Sequence, residues 1–590
     1  MRGTGCQPSS PNCGGNSCSQ YHRRTIWMGD LYGFPAPDFQ YYPSRIQKPG
    51  GFASCSQTLQ ILGLELPDLG SALTPRAFPA AQSAHLRPSG GPQDFYVLVM
   101  ESMIDAIQAR LADDEPLLAQ PMVVAGALLF LLVVFQLRRA GGSKAFPSPR
   151  LGYPLVGDAL AFLNRPVAFV QDATRKCGPI FHVKILFANI VYLRGTQLNR
   201  MYVDVKEDIW SFGGGIGIFL KKIAIPGYFD HFRNLVGSLN RGINRKVTLD
   251  RYTELAGEEA DKALLKWSQQ SDIKLFEEAS KYVHRVIVRT LMGQDFYDEH
   301  VDELYDLVHR MEDEIGHPLN LLLPDWFPHP PARRLGKARD RFAEIFAQQM
   351  EIRRQNPEKW KGSLDYITYT LEDPRTAHLQ EYYPSHHTVL MFAAHTSTVA
   401  SIAWTALELI RNPEYVEAIR QSFQSNEDVH QSPVLLACVK ESGRHYSGVH
   451  MWRTTHRPVQ LEDGYMVPEN WVVCTSPYLT HHDPEIYEQP QQWLPERWLH
   501  PTARLQNLNN ATDAAFLQFG AGSHRCPGEN MAGIIARELV SRLVKNYDFQ
   551  WGSQGPAKID VSRMDFSKVG SPWLQGDARI RLTPRKSASM

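Results

Sequence analysis

The stretch FLQFGAGSHRCPGE, residues 516–529, sets a lone cysteine, Cys526, in a glycine-rich loop directly ahead of an amphipathic run. In that run, ENMAGIIARELVSRLV, apolar Ile535, Leu539, Val540 and Leu543 recur at helical spacing, which predicts a helix with one face in the core. Pro527 suits the first helical position, since its missing N–H costs nothing there. Cys526 is therefore expected at a helix N-terminus, where free N–H groups and the helix dipole favour a thiolate. Gly520, Gly522 and Gly528 permit tight turns and close approach of a flat ligand to the backbone. The alternative for an isolated cysteine is a buried structural thiol.

A thiolate cradled in this way is an axial ligand for haem iron. In that arrangement Phe519 would pack near the sulfur and exclude water, and His524 and Arg525 would meet the carboxylates of the macrocycle.

The rest of the chain fits a large enzyme. Its 590 residues carry Lys plus Arg equal to Asp plus Glu, so no basic footprint for nucleic acid exists. Eight cysteines are scattered without a C-x-x-C pair, which argues against a zinc ribbon or a secreted disulfide scaffold. Residues 1–99 are rich in Gly, Pro, Ser and Gln, and read as a disordered extension or as a segment outside the working protein, with Met100 or Met103 as its start. Residues 117–137 are almost wholly apolar and long enough to cross a bilayer. Arg138, Arg139 and Lys144 follow and acids precede, which puts the C-terminal side in the cytosol. A hinge and a Pro-rich leader fill 138–157, and a globular domain occupies 158–590. Its patterning is mostly helical, as in LDRYTELAGEEADKALLKWSQQ, with short β-like runs such as WVVCTSPYL and ARIRLTP. The expected class is mainly α with small β-sheets.

The pattern Phe519-x-x-Gly522-x-His524-x-Cys526-x-Gly528 resembles the haem-binding signature of the cytochrome P-450 family. Glu441-x-x-Arg444 and Pro495-Glu496-Arg497-Trp498 are similar to two further elements of that family, the second with Trp where Phe is usual. The resemblance covers about residues 115–585. It implies the cytochrome P-450 fold behind an N-terminal transmembrane helix, haem b with its iron on Cys526, and a buried network of Arg497 with the Glu441–Arg444 pair. It also implies electrons from NADPH–cytochrome P-450 reductase, with cytochrome b5 as a second donor, and location in the endoplasmic reticulum membrane.

VLMFAAHTSTVASIAWTALELI, residues 389–410, predicts a long helix ending before Asn412-Pro413. Its polar centre, His395, Thr396 and Ser397, needs a partner or a function. The resemblance makes this the helix on the oxygen side of the haem. Ala393 stands where glycine is usual and His395 replaces the usual acid, as in sterol 14-demethylases. Thr396 would orient water, and His395 with Ser397 would relay protons. Arg453 would meet a haem propionate, and Val449, His450, Met451 and Trp452 would line the substrate pocket. The upstream segment DIWSFGGGIGIFLKKIAIPGYFDHF lacks the tyrosine pattern of sterol demethylases. The expected reaction is therefore monooxygenation of a bulky lipophilic terpenoid, steroid-like or other specialised metabolite. The alternative is a haem-thiolate isomerase acting on a peroxide without O2 or reductase.

Overall fold

The computed structural model describes residues 145–149 and 157–585, except 186–187, 324–326, 425–431, 462, 503–504, 506–512 and 569. The N-terminal extension, the expected membrane anchor at 117–137 and most of the Pro-rich leader lie outside the described residues. The leader's described part is docked: the Pro147 carbonyl accepts from the His182 N–H at 2.8 Å, and Phe146 stacks on Tyr465 with ring centroids 4.9 Å apart.

The architecture is mainly helical with small sheets. Its centre is the 29-residue helix Tyr383–Arg411, which opens with Pro384 in its first turn and stops at Asn412 ahead of Pro413. Apolar residues surround it on nearly every face, so helices Leu275–Ile287, Gln294–Ile315, Pro330–Gln355 and Glu529–Asn546 bury it from all sides. Among the described residues, the run Ala377–Arg411 is long and apolar enough to cross a membrane, but 72% of its most apolar window is buried inside the protein. It is the core helix of the domain.

A five-stranded sheet flanks the bundle in the order Ile180–Ile185, Ala188–Leu193, Val472–Thr475, Met451–Thr455, Trp210–Ser211. Ala188–Leu193 and Val472–Thr475 run parallel, and the other pairings are antiparallel. Helix Phe212–Leu220, sequence FGGGIGIFL, lies directly on Met451–Thr455. A side chain at Gly215 would put its Cβ 2.2 Å from the Trp452 carbonyl oxygen, so glycine is what allows this approach. The β-like run ARIRLTP forms the strand Arg579–Pro584, paired with Tyr547–Trp551. Two tryptophans pin the C-terminal segment to the central helix. Trp573 Nε1 donates to the Thr396 carbonyl at 3.0 Å, and Trp404 Nε1 to the Pro572 carbonyl at 2.8 Å.

The expected Glu–Arg–Arg network is present, with Glu441 and Arg444 fully buried and Arg497 half-buried at its edge. Both Glu441 oxygens accept from Arg444, at 2.8 and 2.9 Å, and Oε1 also accepts from Arg497 Nε at 3.0 Å and the Leu494 N–H at 2.9 Å. Arg444 in turn donates to the carbonyls of His481, Pro490 and Gln492. Trp498 takes part as the usual phenylalanine cannot: its Nε1 donates to Glu441 Oε2 at 2.9 Å. The network reaches the cysteine loop through His481, whose Nε2 accepts from the Leu517 N–H at 2.8 Å and whose ring stacks on Phe516. Gly443 leaves the space that the Gln518 side chain fills.

Trp498→Phe keeps the ring but leaves a buried carboxylate oxygen short of one donor. Denaturant titration should show a loss of about 1–3 kcal/mol of stability; a change within error would remove Trp498 from the network. Gly336 lies inside helix Pro330–Gln355, and a Cβ added there would meet nothing within 4 Å. Gly336→Ala should therefore add about 0.5–1 kcal/mol in the same titration.

Candidate haem-thiolate site

The cysteine loop is a tight reversal closed by the Cys526 N–H donating to the Phe519 carbonyl at 2.7 Å. Gly520 and Gly522 both sit at positive φ, +67° and +62°, which glycine adopts without steric cost. A Cβ on Gly522 would also meet Val203 Cγ1 at 2.5 Å. The helix that follows begins at Glu529 with Gly528 as its N-cap, so Pro527 precedes the helix instead of opening it. Cys526 therefore lies ahead of the first turn, and Glu529 occupies that turn.

Cys526 is exposed within the loop. Desolvation by the surrounding loop raises its thiol and the Glu529 charge adds to that, while the Gly528 N–H and Arg525 pull the other way. An iron on the sulfur would favour the thiolate, because metal coordination deprotonates a ligating thiol. Among the described residues the other cysteines, Cys177, Cys438 and Cys474, are free, and no group of three or more ligating side chains could hold a metal ion.

Around the loop the structure places three of the expected basic side chains. Arg453 is buried. One guanidinium nitrogen donates to the Val205 carbonyl at 2.9 Å, the group lies 4.8 Å from the Tyr202 ring centroid, and its Nε is buried without an acceptor. His524 stacks on Phe212 at 5.0 Å and pairs with Glu207 at 3.0 Å. Burial would raise the Glu207 carboxyl, but hydrogen bonds from His524, the Phe212 and Gly213 N–H groups and Ser211 outweigh it and lower the group to about 2. Arg525 is exposed and pairs with Glu529 at 2.6 and 3.0 Å. Phe519, His450, Met451 and Trp452 are half-buried, and Val449 is buried.

The central helix carries the other expected residues. Ala393 is exposed at mid-helix although Phe392, His395 and Thr396 beside it are buried, which leaves room for a ligand there. His395 and Thr396 converge on one acid from helix Gln294–Ile315. His395 Nδ1 lies 2.6 Å from Glu312 Oε1, and Thr396 Oγ1 donates to the same oxygen at 2.9 Å. His395 Nε2 faces the Ser280 hydroxyl at 3.0 Å and the Ser280 carbonyl at 3.2 Å. The second Glu312 oxygen lies 3.3 Å from His309 Nδ1. Burial would push the Glu312 carboxyl up, yet the charge of His395 and the polar contacts of His309 and His395 hold it well below the usual carboxylate range. Ser397 stands apart, with its Oγ against Gly570.

Glu312, Ser280 and His309 escape a motif search because helix Gln294–Ile315 carries acids at almost every turn. The available signal is that Glu312 falls on the buried stripe of Leu304, Val308, Met311 and Ile315, where a carboxylate needs partners.

The donor set fits haem. One sulfur stands in a glycine cradle that admits a flat macrocycle, a small alanine leaves room on the central helix, and Arg453 holds an unmet buried donor for a propionate. Gly522→Ala combines a left-handed backbone cost of about 1–2 kcal/mol with the Val203 clash. It should cut the haem bound per chain by more than half, read from absorbance of the purified protein; full loading would show that the cradle does not need glycine.

Comparison with known proteins agrees. The Cytochrome P-450 family model matches residues 147–570. The cytochrome P-450 monooxygenase pyvB of Aspergillus violaceofuscus is 64% identical over 79% of this chain and 96% of its own length. The cytochrome P-450 monooxygenase pynD of Aspergillus niger is 53% identical over 78% of this chain and 97% of its own length. The obtusifoliol 14-alpha demethylase of Sorghum bicolor is more distant, 25% identical over 76% of this chain and 94% of its own length. A solved structure, retinoic acid-bound cyanobacterial CYP120A1, shares the fold with a TM-score of 0.62 at 18% identity, covering 75% of this chain and all of that one. The chain belongs to the cytochrome P-450 family and is a haem-thiolate monooxygenase of that family.

Proposed function

We propose that this enzyme oxidises a bulky lipophilic substrate, a terpenoid, steroid-like or other specialised metabolite, with O2 and two electrons from NADPH–cytochrome P-450 reductase, and with cytochrome b5 as an additional donor. The apolar run 117–137 would anchor it in the endoplasmic reticulum membrane with the catalytic domain in the cytosol. Bound haem supplies the O2 activation and oxygen transfer. Cys526 would hold the iron, with Phe519, Gly522 and Gly528 around it and Arg453, His524 and Arg525 as candidate partners of the propionates. The half-buried aromatic wall supports an apolar substrate: Trp452 packs on Phe219 at 4.4 Å and His450 on Phe162 at 4.8 Å. Burial lowers the His450 imidazole to about 3, so it stays neutral and adds no charge to that wall.

The observation that carries an oxygenase over an isomerase is the single Glu312 oxygen shared by His395 and Thr396. Reducing O2 consumes protons, whereas rearranging a peroxide consumes none. A buried carboxylate that two polar groups of the distal helix meet is a proton-handling device. Thr396 would present its hydroxyl toward the pocket. Glu312 would pass on to Thr396 a proton received from a histidine neighbour, and His395 would return the carboxylate to its charged resting state. Ser397, against Gly570, would steady the C-terminal segment beside the pocket.

With the reductase, NADPH and a panel of terpenoids and sterols, one atom of labelled O2 should enter the product. Turnover without NADPH would establish the isomerase instead. Thr396→Val and Glu312→Gln should each lower product yield by on the order of 100-fold while NADPH oxidation continues and O2 is reduced without entering product. Unchanged yield in both variants would remove this acid from the chemistry.

A further inference from the structure

The distal network contains two histidines, and the oxygenase chemistry described so far uses only one. Glu312 lies between His395, 2.6 Å from Oε1, and His309, whose Nδ1 stands 3.3 Å from Oε2 in an ion-pair contact without hydrogen-bond geometry. The Ser280 hydroxyl lies on the far side, 3.0 Å from His395 Nε2, 3.4 Å from His309 Nε2 and 3.1 Å from the Tyr305 hydroxyl. The two imidazoles stand edge to face with centroids 5.8 Å apart. Trp573, whose indole N–H holds the Thr396 carbonyl, packs 6.2 Å from each of them. Beyond Trp573, Lys568 pairs with Asp313 at 2.9 Å and lies 5.0 Å from the indole.

Access to water separates the members. The side chains of Glu312 and His395 are 2% and 1% exposed, whereas that of His309 is 27% exposed. Tyr305 is also half-buried, but burial pushes its phenol up to about 12, so it does not release a proton near neutrality. His284 packs against His395 at 6.3 Å and is lowered to about 3 by burial, with its Nε2 on the Val301 carbonyl at 2.9 Å; it is a neutral wall. Imidazole is the side chain that ordinarily exchanges protons with water near neutral pH.

We propose that His309 is the relay residue through which solvent protons reach Glu312, and through it the Thr396 hydroxyl. This inference rests on the oxygenase reading above. A proton taken from water onto His309 leaves Nδ1 for the Glu312 carboxylate. The carboxyl then re-protonates Thr396 as the threonine hydroxyl gives its own proton forward to the pocket. The proton enters at Nε2 and leaves from Nδ1, so the imidazole turns about its Cβ–Cγ bond to exchange the two nitrogens before His309 takes the next proton from water. Ser280 stands 3.0 Å from His395 Nε2 and a looser 3.4 Å from His309 Nε2, so His309 is the less tightly held of the two rings. His309 touches no reacting atom and acts only through Glu312, so it is a positioning and relay group.

Its Nδ1 faces Glu312, and an asparagine amide can make that same contact but cannot pass a proton on. Full-length His309→Asn and His309→Leu are therefore compared with wild type in phosphatidylcholine vesicles with the reductase and NADPH, without substrate. O2 leaves as superoxide after one electron and no proton, as hydrogen peroxide after two electrons and two protons, or as two waters after four of each. Both variants should keep the carbon monoxide difference band. They should raise the superoxide share several-fold at the expense of peroxide and water, and should enlarge the solvent deuterium isotope effect on O2 uptake. His309→Asn matching wild type in both readouts, with only His309→Leu impaired, would mean that His309 merely braces Glu312, and the relay is then wrong. Wild type consuming neither NADPH nor O2 would overturn the oxygenase reading itself, and the relay with it.

Discussion

The buried carboxylate of Glu441 is the contact on which the geometry of the cysteine loop rests. It accepts from Arg444, Arg497, Trp498 and the Leu494 backbone, and no water is needed to satisfy it. Two guanidinium groups and one carboxylate in a dry interior are stable only as a set. Removing one partner of such a pair typically costs about 3–5 kcal/mol, because the remaining charge is left without compensation. The set is therefore rigid, and His481 carries that rigidity to Leu517 at the start of the loop. A loop built from glycines would otherwise hold its sulfur loosely.

The distal side uses the same physics toward a different end. Glu312 is also buried, but its partners are imidazoles and a hydroxyl, which can change their protons, where arginine cannot. One internal acid sits among fixed cations and holds a shape. The other sits among titratable groups and can pass charge. The central helix supplies both needs at once, with a buried apolar surface along its length and the His395–Thr396 step at mid-span. Trp573 ties that step to the C-terminal segment, so the His395–Thr396 step and that segment share one support.

Much of this was legible before any coordinates. The spacing around Cys526 pointed to the family, Glu441, Arg444 and Arg497 were expected to meet and do, and the central helix ends where Asn412-Pro413 predicted. The helix after the cysteine starts later than expected, because Gly528 and not Pro527 ends the turn. The sulfur accordingly lies further from the helix terminus than its position in sequence suggested. His395 was expected to work with Ser397, its neighbour but one in sequence. In space its ring meets Glu312 and Ser280, which lie 83 and 115 residues away along the chain. Partnerships across that separation are set by how helices cross, and a helix crowded with acids gives no local hint of which one turns inward. The tryptophan standing where phenylalanine is usual at 498 carried no message in the sequence; only the fold shows that its N–H reaches Glu441.

The central claim, that the sulfur of Cys526 binds the haem iron, is tested most directly by the absorption of the dithionite-reduced, carbon monoxide-bound protein. The account predicts the long-wavelength Soret band of thiolate-ligated haem in gently prepared wild type, and its loss in Cys526→Ser. A band at the position typical of nitrogen-ligated haem in fresh wild-type protein, or a thiolate band that survives in Cys526→Ser, would contradict it.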